Sequence, residues 1–228
     1  KTSRAIIIAI DGPAGAGKSS IARELAKKLG IKYFDSGAVY RTLTYWVINV
    51  LGVSPDGNLT PFINKLNSAN ISVFWEEDGM MKVKLFSEDF SHLIRNSRVT
   101  ANIKYIAENS EFREYVNNMI KETASSVSVV VDGRDIGTIV FPNADCKFYL
   151  DASLEVRARR RAKEIDIDIG SFEFVDLVTQ ISNRDEKDKT RKIAPLLMAS
   201  DAVYVDTTNL SFNNVLKKLL RHIEVERK

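Results

Sequence analysis

Gly12, Gly17, Lys18 and Ser19 fall on the spacing G-x-x-x-x-G-K-[ST]. The apolar run Ala5-Ile6-Ile7-Ile8-Ala9-Ile10 precedes them and reads as a buried strand; Ile21, Leu25 and Leu29 follow at helical intervals. Three glycines (Gly12, Gly15, Gly17) allow a backbone to curl until several N–H groups face one anion, and a helix N-terminus adds positive potential. In that setting Lys18 reaches the terminal phosphates of a nucleoside triphosphate and the Ser19 hydroxyl holds Mg²⁺. The stretch expected to contact the triphosphate is Gly12, Pro13, Ala14, Gly15, Ala16, Gly17, Lys18, Ser19 and Ser20. The competing reading is a chance glycine turn, which explains neither the lysine nor the serine.

Arginines form the second signal. Arg41 lies just after Asp35-Ser36-Gly37, Arg113 on a helix before a strand, and Arg134 directly after that strand in Asp132-Gly133-Arg134-Asp135. Arg157, Arg159, Arg160 and Arg161 crowd one helical turn, and Arg184, Asp188 and Arg191 recur at spacings of four and three. Any one alone reads as a solvated helix surface. Four in one turn repel each other, a cost that a site holding several phosphates would turn into transition-state stabilisation. His92 and His222 are the only histidines and neither lies in a motif, so no general base is evident. A phosphate acceptor needs none, since its oxygen is already anionic at neutral pH. The combination indicates phosphoryl transfer to a phosphorylated acceptor.

The elements that must position these groups alternate. Strands are expected near residues 5–10, 32–34, 126–133, 146–150 and 202–206. Helices are expected near 38–50, 99–123, from about 153, 172–187 and 212–226. Between residues 71 and 90 the apolar period becomes two, with a turn at Glu77-Asp78-Gly79, which predicts an antiparallel hairpin and a short third strand. The fold class is α/β: a P-loop NTPase fold, an open parallel sheet with helices on both faces, plus a small inserted antiparallel lobe. Its core covers about 1–36, 126–156 and 171–228. The region between, about 37–125, carries the inserted lobe at about 63–100.

With 228 residues, 44% hydrophobic and 28% charged, the chain reads as an ordinary globular protein. A net charge of +3 is too small to argue for nucleic-acid binding and suits anionic ligands. The single cysteine, Cys146, excludes an internal disulfide, fits a reducing cytoplasm and reads as a small core residue. The opening apolar run is too short for a signal peptide or a membrane span. The expectation is a cytoplasmic, unanchored monomer that binds no nucleic acid.

Four blocks carry a resemblance: residues 11–19, Asp35-Ser36-Gly37-Ala38-Val39-Tyr40-Arg41, Asp132-Gly133-Arg134-Asp135-Ile136-Gly137-Thr138, and Arg184-Asp185-x-x-Asp188-x-x-Arg191. In this order they resemble bacterial cytidylate kinases, over nearly the whole chain. The resemblance implies transfer from ATP, with Mg²⁺, to CMP or dCMP, with a nucleoside monophosphate-binding region over about 37–125 and a helical lid over about 157–170. It implies that Ser36, Arg41, Arg134 and Arg191 surround the acceptor phosphate, that Arg184 and Asp188 contact the ribose, and that Arg113 and Asp135 read the base. Cytosine offers an amine donor and a ring-nitrogen acceptor, matching a carboxylate and an arginine. Lys18, Arg134, Arg157, Arg161 and Arg191 would act in catalysis, Arg157 and Arg161 from the lid over ATP. One departure is Lys104, where the family usually has a serine touching the base. Two other readings stay open: a P-loop kinase with a hydroxyl acceptor and a carboxylate base (Asp35 or Asp135), and a slowly hydrolysing switch protein. The guanine motif N-K-x-D of switch GTPases is absent.

Overall fold

Residues 5–226 are described by the computed structural model. Strand β1 (Ile7–Asp11) runs into a glycine-rich loop and helix α1 (Lys18–Leu29), which Gly30 ends at φ 66°. Strand β2 (Lys32–Asp35) passes directly into helix α2 (Ser36–Tyr45), extended by a π-helical turn over Trp46–Val50. After the short helix α3 (Thr60–Ile63) come strands β3 (Ser72–Trp75), β4 (Met81–Leu85) and β5 (Glu88–Asp89). Helices α4 (Ser97–Ala107) and α5 (Ser110–Ser126) lead to strand β6 (Val129–Gly133), a π-helical turn over Ile136–Val140 and strand β7 (Cys146–Asp151). Helices α6 (Leu154–Glu164) and α7 (Phe172–Thr190), strand β8 (Val203–Asp206) and helix α8 (Phe212–Glu226) complete the described chain.

Five parallel strands lie in the order β2-β6-β1-β7-β8. The chain leaves β1 toward β2 on one side and later crosses from β6 over β1 to β7, so the order reverses at β1. Ligand crevices open at such reversals, beyond the C-terminal strand ends. Residue alternation along the strands feeds two cores. Ile8, Ile10, Val130 and Phe148 meet Ile21, Leu25, Leu216 and Leu219 of α1 and α8 on one face. Ala9, Phe34, Val129 and Val131 meet Val39, Leu43, Phe112 and Val116 of α2 and α5 on the other. Asp11, Asp35, Asp151 and Asp206 close β1, β2, β7 and β8, and Asp132 sits one residue before the end of β6.

The expected hairpin is an antiparallel sheet in the order β3-β4-β5. Its buried Met81, Val83 and Leu85 join the core that holds α2 and α5. Trp75 Nε1 donates to the Tyr33 carbonyl at 2.7 Å, which fastens the lobe to the outer strand β2.

Element boundaries differ from the sequence reading at several points; the strand expected from residue 126 begins at Val129, because α5 runs on to Ser126. Helix α2 starts at Ser36, not Ala38, because the Asp35 side chain caps it by accepting from the Ala38 amide at 2.9 Å. The single helix expected over 99–123 is two, α4 and α5. Asn109 divides them by accepting from the Glu111 and Phe112 amides. Cys146 is buried within β7. His92 is exposed in the turn after β5, and the His222 ring stands edge-on to Phe148 with centroids 5.5 Å apart. The ends of the expected core, residues 1–4 and 227–228, lie outside the described residues. Among the described residues no helix is long and apolar enough to cross a membrane.

Candidate active site

The loop after β1 is shaped by close approaches. A Cβ on Gly12, at φ 145°, would sit 1.9 Å from the Leu150 carbonyl oxygen. A Cβ on Gly15 would press on the backbone and Cβ of Arg157 at 3.1 Å. The loop therefore lies directly on β7 and α6, where only glycine fits. Lys18 opens α1 and folds back across the loop, donating to the Pro13 carbonyl at 2.6 Å. Burial first, then the charge of Arg134, holds the Lys18 ammonium well below the ordinary lysine range. Asp11 anchors the opposite edge by accepting from the Ile136 and Gly137 amides at 2.9 and 2.7 Å. Burial outweighs those two bonds and pushes the Asp11 carboxyl up to about 6.

Asp132, to which the sequence reading gave no site role, ties the loop to β2. Its Oδ2 accepts from the Ser19 hydroxyl at 2.8 Å and its Oδ1 from the Tyr33 hydroxyl at 2.9 Å. Burial, then the neighbouring Asp35, pushes its carboxyl up to about 6. The available signal was its place near a strand end, in register with Asp35 of β2. Ser19 and Asp132 present hard oxygen donors beside the loop, and among the described residues no cluster of three or more His, Cys, Asp or Glu could hold a metal. That donor set suits Mg²⁺, which is held by one or two carboxylates together with substrate phosphates rather than by an all-protein cage.

Across the crevice, residues from four chain segments converge. Ser36 donates to the Asp132 carbonyl at 2.6 Å, at the junction of β2 and α2. Arg41, one turn on, donates to Thr100 of α4 at 2.7 Å. Burial, then Arg184, Arg95, Asp35 (which opposes) and Arg161, lowers Arg41 to about 10, leaving it cationic at neutral pH. Arg184 is likewise lowered to about 10 by burial and then Arg134. These shifts describe a concentration of positive charge short of counter-ions, an environment that favours an anion.

Carboxylates hold the arginines in place. Arg134 Nε donates to Asp188 at 2.9 Å, and Asp188 offsets the effect of burial enough to raise the Arg134 pKa. Arg113 Nη2 is ion-paired with Asp135, both side chains at most 7% exposed. Arg191 lies 3.9 Å from Asp135 and 3.8 Å from Asp188, and its Nη2 is buried without a hydrogen-bond partner. The Tyr40 hydroxyl is also buried and unpartnered, with Arg113 5.6 Å from its ring centroid. Two orphaned polar atoms beside one buried carboxylate leave hydrogen-bonding capacity for a polar ligand. Lys104 is not in this cluster; its ammonium lies 4.5 Å from the Tyr105 ring centroid. Arg95, absent from the sequence reading, bridges to Asp35 at 3.0 Å from the segment between β5 and α4.

The arginine run on α6 does not converge as its crowding suggests. Arg157 is buried under the loop instead of standing on a lid, with bonds to the Ala152 and Ala14 carbonyls and to Asp185. Arg159 pairs with Glu155 in solvent, and Arg160 reaches Thr207 before α8. Arg161 pairs with Glu164 and is the one member whose charge reaches Arg41 and Arg184. Each residue turns about 100° around a helix, so neighbours serve different surfaces.

Comparison with known proteins agrees with this geometry. The family profile described as cytidylate kinase matches residues 8–225. A cytidylate kinase of Clostridium tetani is 41% identical over 219 residues, covering 96% of this chain and 94% of the relative. One from an Exiguobacterium species is 40% identical over 222 residues, 97% of each chain. Among solved structures, TT1252 from Thermus thermophilus superposes with a TM-score of 0.51 at 15% identity, covering 99% of this chain and all of that one, a likeness of fold alone. The chain belongs to the cytidylate kinase family.

Proposed function

We propose that this protein transfers the γ-phosphoryl group of ATP to CMP or dCMP, giving ADP and CDP or dCDP. An acceptor phosphate oxygen forms the new bond to the γ-phosphorus, and the bond from that phosphorus to the β–γ bridging oxygen breaks, with ADP leaving. The observation that carries the reading is the buried Arg113–Asp135 pair, set beside the phosphate-ready arginines Arg134 and Arg191. Asp135 would accept from the cytosine amine and Arg113 would donate to the ring acceptors; uracil, with the opposite pattern, would meet a carboxylate with its carbonyl. Ser36, Arg41, Arg134 and Arg191 would hold the acceptor phosphate, and Arg184 with Asp188 the ribose.

Catalysis in this reading is positioning and charge neutralisation, with no general base. Lys18 leaves the Pro13 carbonyl for the donor phosphates, whose negative charge favours its ammonium form. Arg134, Arg161 and Arg191 offset the negative charge of the transferring group. Ser19 and Asp132 would hold Mg²⁺, which supplies charge neutralisation on the donor phosphates when bound. Residues 161–170 would act as the lid, with Arg161 as its basic contribution, Arg157 being fixed beneath the loop by Ala14 and Asp185. A coupled ADP-release assay over CMP, dCMP, UMP and AMP tests the reading. It expects turnover with CMP and dCMP well above UMP and AMP; equal rates on AMP and CMP overturn it.

A further inference from the structure

Helices α6 and α7 pack through a small apolar seam of Ala158, Ala162, Leu177 and Ile181. At the end nearest the loop the seam changes character. One turn beyond Ile181 stands Asp185, 7% exposed, and one residue before Ala158 stands Arg157, 6% exposed. They form an ion pair of 2.6 Å. Apolar side chains of similar volume would pack such a seam at least as stably, because desolvating two charges offsets their attraction. Apolar side chains could not do what Arg157 does with its other donors. Its Nε bonds the Ala152 carbonyl and its Nη1 the Ala14 carbonyl, both at 2.9 Å.

Ala14 lies in the middle of the phosphate-binding loop. In a trans peptide the carbonyl and the following N–H point in opposite directions. Fixing the Ala14 carbonyl toward α6 therefore aims the Gly15 N–H away from α6, toward the concave side that receives phosphate. Gly15 itself rests on the backbone of Arg157, so the loop is located by the same residue that orients its peptide. On the other side, Asp185 belongs to α7 and lies between Arg184 and Asp188 in the chain. Only one of its carboxylate oxygens is used; Oδ1 is buried and has no hydrogen-bond partner. Its charge also acts on Arg134.

We propose that Arg157 is a positioning residue for the phosphoryl donor, with Asp185 as its anchor. The pair orients the Ala14–Gly15 peptide toward the triphosphate and ties the donor loop to the helix that carries the acceptor residues. The assignment rests on the reading of residues 12–20 as the ATP site.

The test replaces the pair by apolar residues, Arg157→Met with Asp185→Leu, and compares it with Arg157→Lys. The apolar double variant melts at or above the wild-type temperature yet binds ADP in calorimetry about tenfold or more weakly, as loss of a charged hydrogen bond predicts. Its ATP KM rises while the acceptor KM keeps the wild-type value. A role in folding alone would move melting temperature and active fraction without splitting the two KM values. Arg157→Lys keeps the charge but cannot reach three acceptors, so it shows the same ATP-specific defect; it decides the matter if the double variant fails to fold. Wild-type ADP affinity and ATP KM in a folded variant overturn the proposal. ADP calorimetry needs no acceptor, so a wild-type protein that binds ADP but does not phosphorylate CMP overturns the acceptor reading and leaves this one standing.

Discussion

The Ser19 hydroxyl donates to Asp132 Oδ2 at 2.8 Å, joining the first turn of α1 to β6 across 113 residues of chain. The second carboxylate oxygen is taken by Tyr33, so the carboxylate stands oriented before any ligand arrives. Replacing Asp132 with Asn removes the charge and keeps the shape. Losing a charged interaction of about 1.5–3 kcal/mol lowers kcat roughly ten- to a hundredfold, and the Mg²⁺ concentration for half-maximal rate rises. Steady-state rates across a Mg²⁺ series check this. A normal rate at normal Mg²⁺ would remove Asp132 from the site.

The same carboxylate makes stability depend on pH. Asp11 and Asp132 move from 3.8 to about 6 on folding, burial being the first cause in each. Between those values the native state binds more protons than the unfolded chain, so stability falls as pH rises. The contribution is fully present below 3.8 and lost above about 6. For Asp132 it is on the order of 3 kcal/mol. Asp132→Asn cannot ionise, so its melting temperature should lose part of the wild-type fall between pH 4 and pH 6.5. Identical slopes in thermal melts of the two proteins would show that Asp132 keeps its ordinary pKa.

Asp135 requires two variants, because the proposed base contact adds to its ion pair with Arg113. Asp135→Ala leaves the Arg113 guanidinium buried and uncompensated, a loss of about 3–5 kcal/mol. Asp135→Asn still accepts a hydrogen bond and should lose much less. Urea unfolding separates them, and ADP binding should survive in the Asn variant. Equal unfolding midpoints for the Ala variant and the wild type would mean the pair is not formed in solution.

Gly12→Ala should not be tolerated. The new methyl would meet the Leu150 carbonyl at 1.9 Å, and φ 145° disfavours any side chain. Moving strand β7 or the loop costs about 3 kcal/mol. A denaturation midpoint equal to the wild type would contradict the close approach.

Much of this was legible in the chain, for identifiable reasons. The phosphate loop is local: strand, glycines, lysine and serine occupy consecutive residues, and each is needed by one ligand. The β3–β4 hairpin was legible because its period of two contrasts with the helices around it. The break at Asn109 was hidden because helical periodicity continues across it, although Asn109 caps the second helix. Arg157 could not be read correctly from its neighbours. Its partner Ala14 is 143 residues away, and only the packing of the loop on α6 reveals its direction. Arg95 carried no signal at all, since its contact with Asp35 depends on how the inserted lobe lies against β2.

The central claim is that Arg113 and Asp135 choose cytosine for a base-free phosphoryl transfer. The most direct measurement is the ratio of kcat/KM for CMP to that for UMP, with ATP as donor, in the wild type and in Asp135→Asn. The account predicts a wild-type ratio far above one that collapses toward one in the variant, with ATP KM unchanged. A wild-type ratio near one, or a ratio untouched by the substitution, would contradict it.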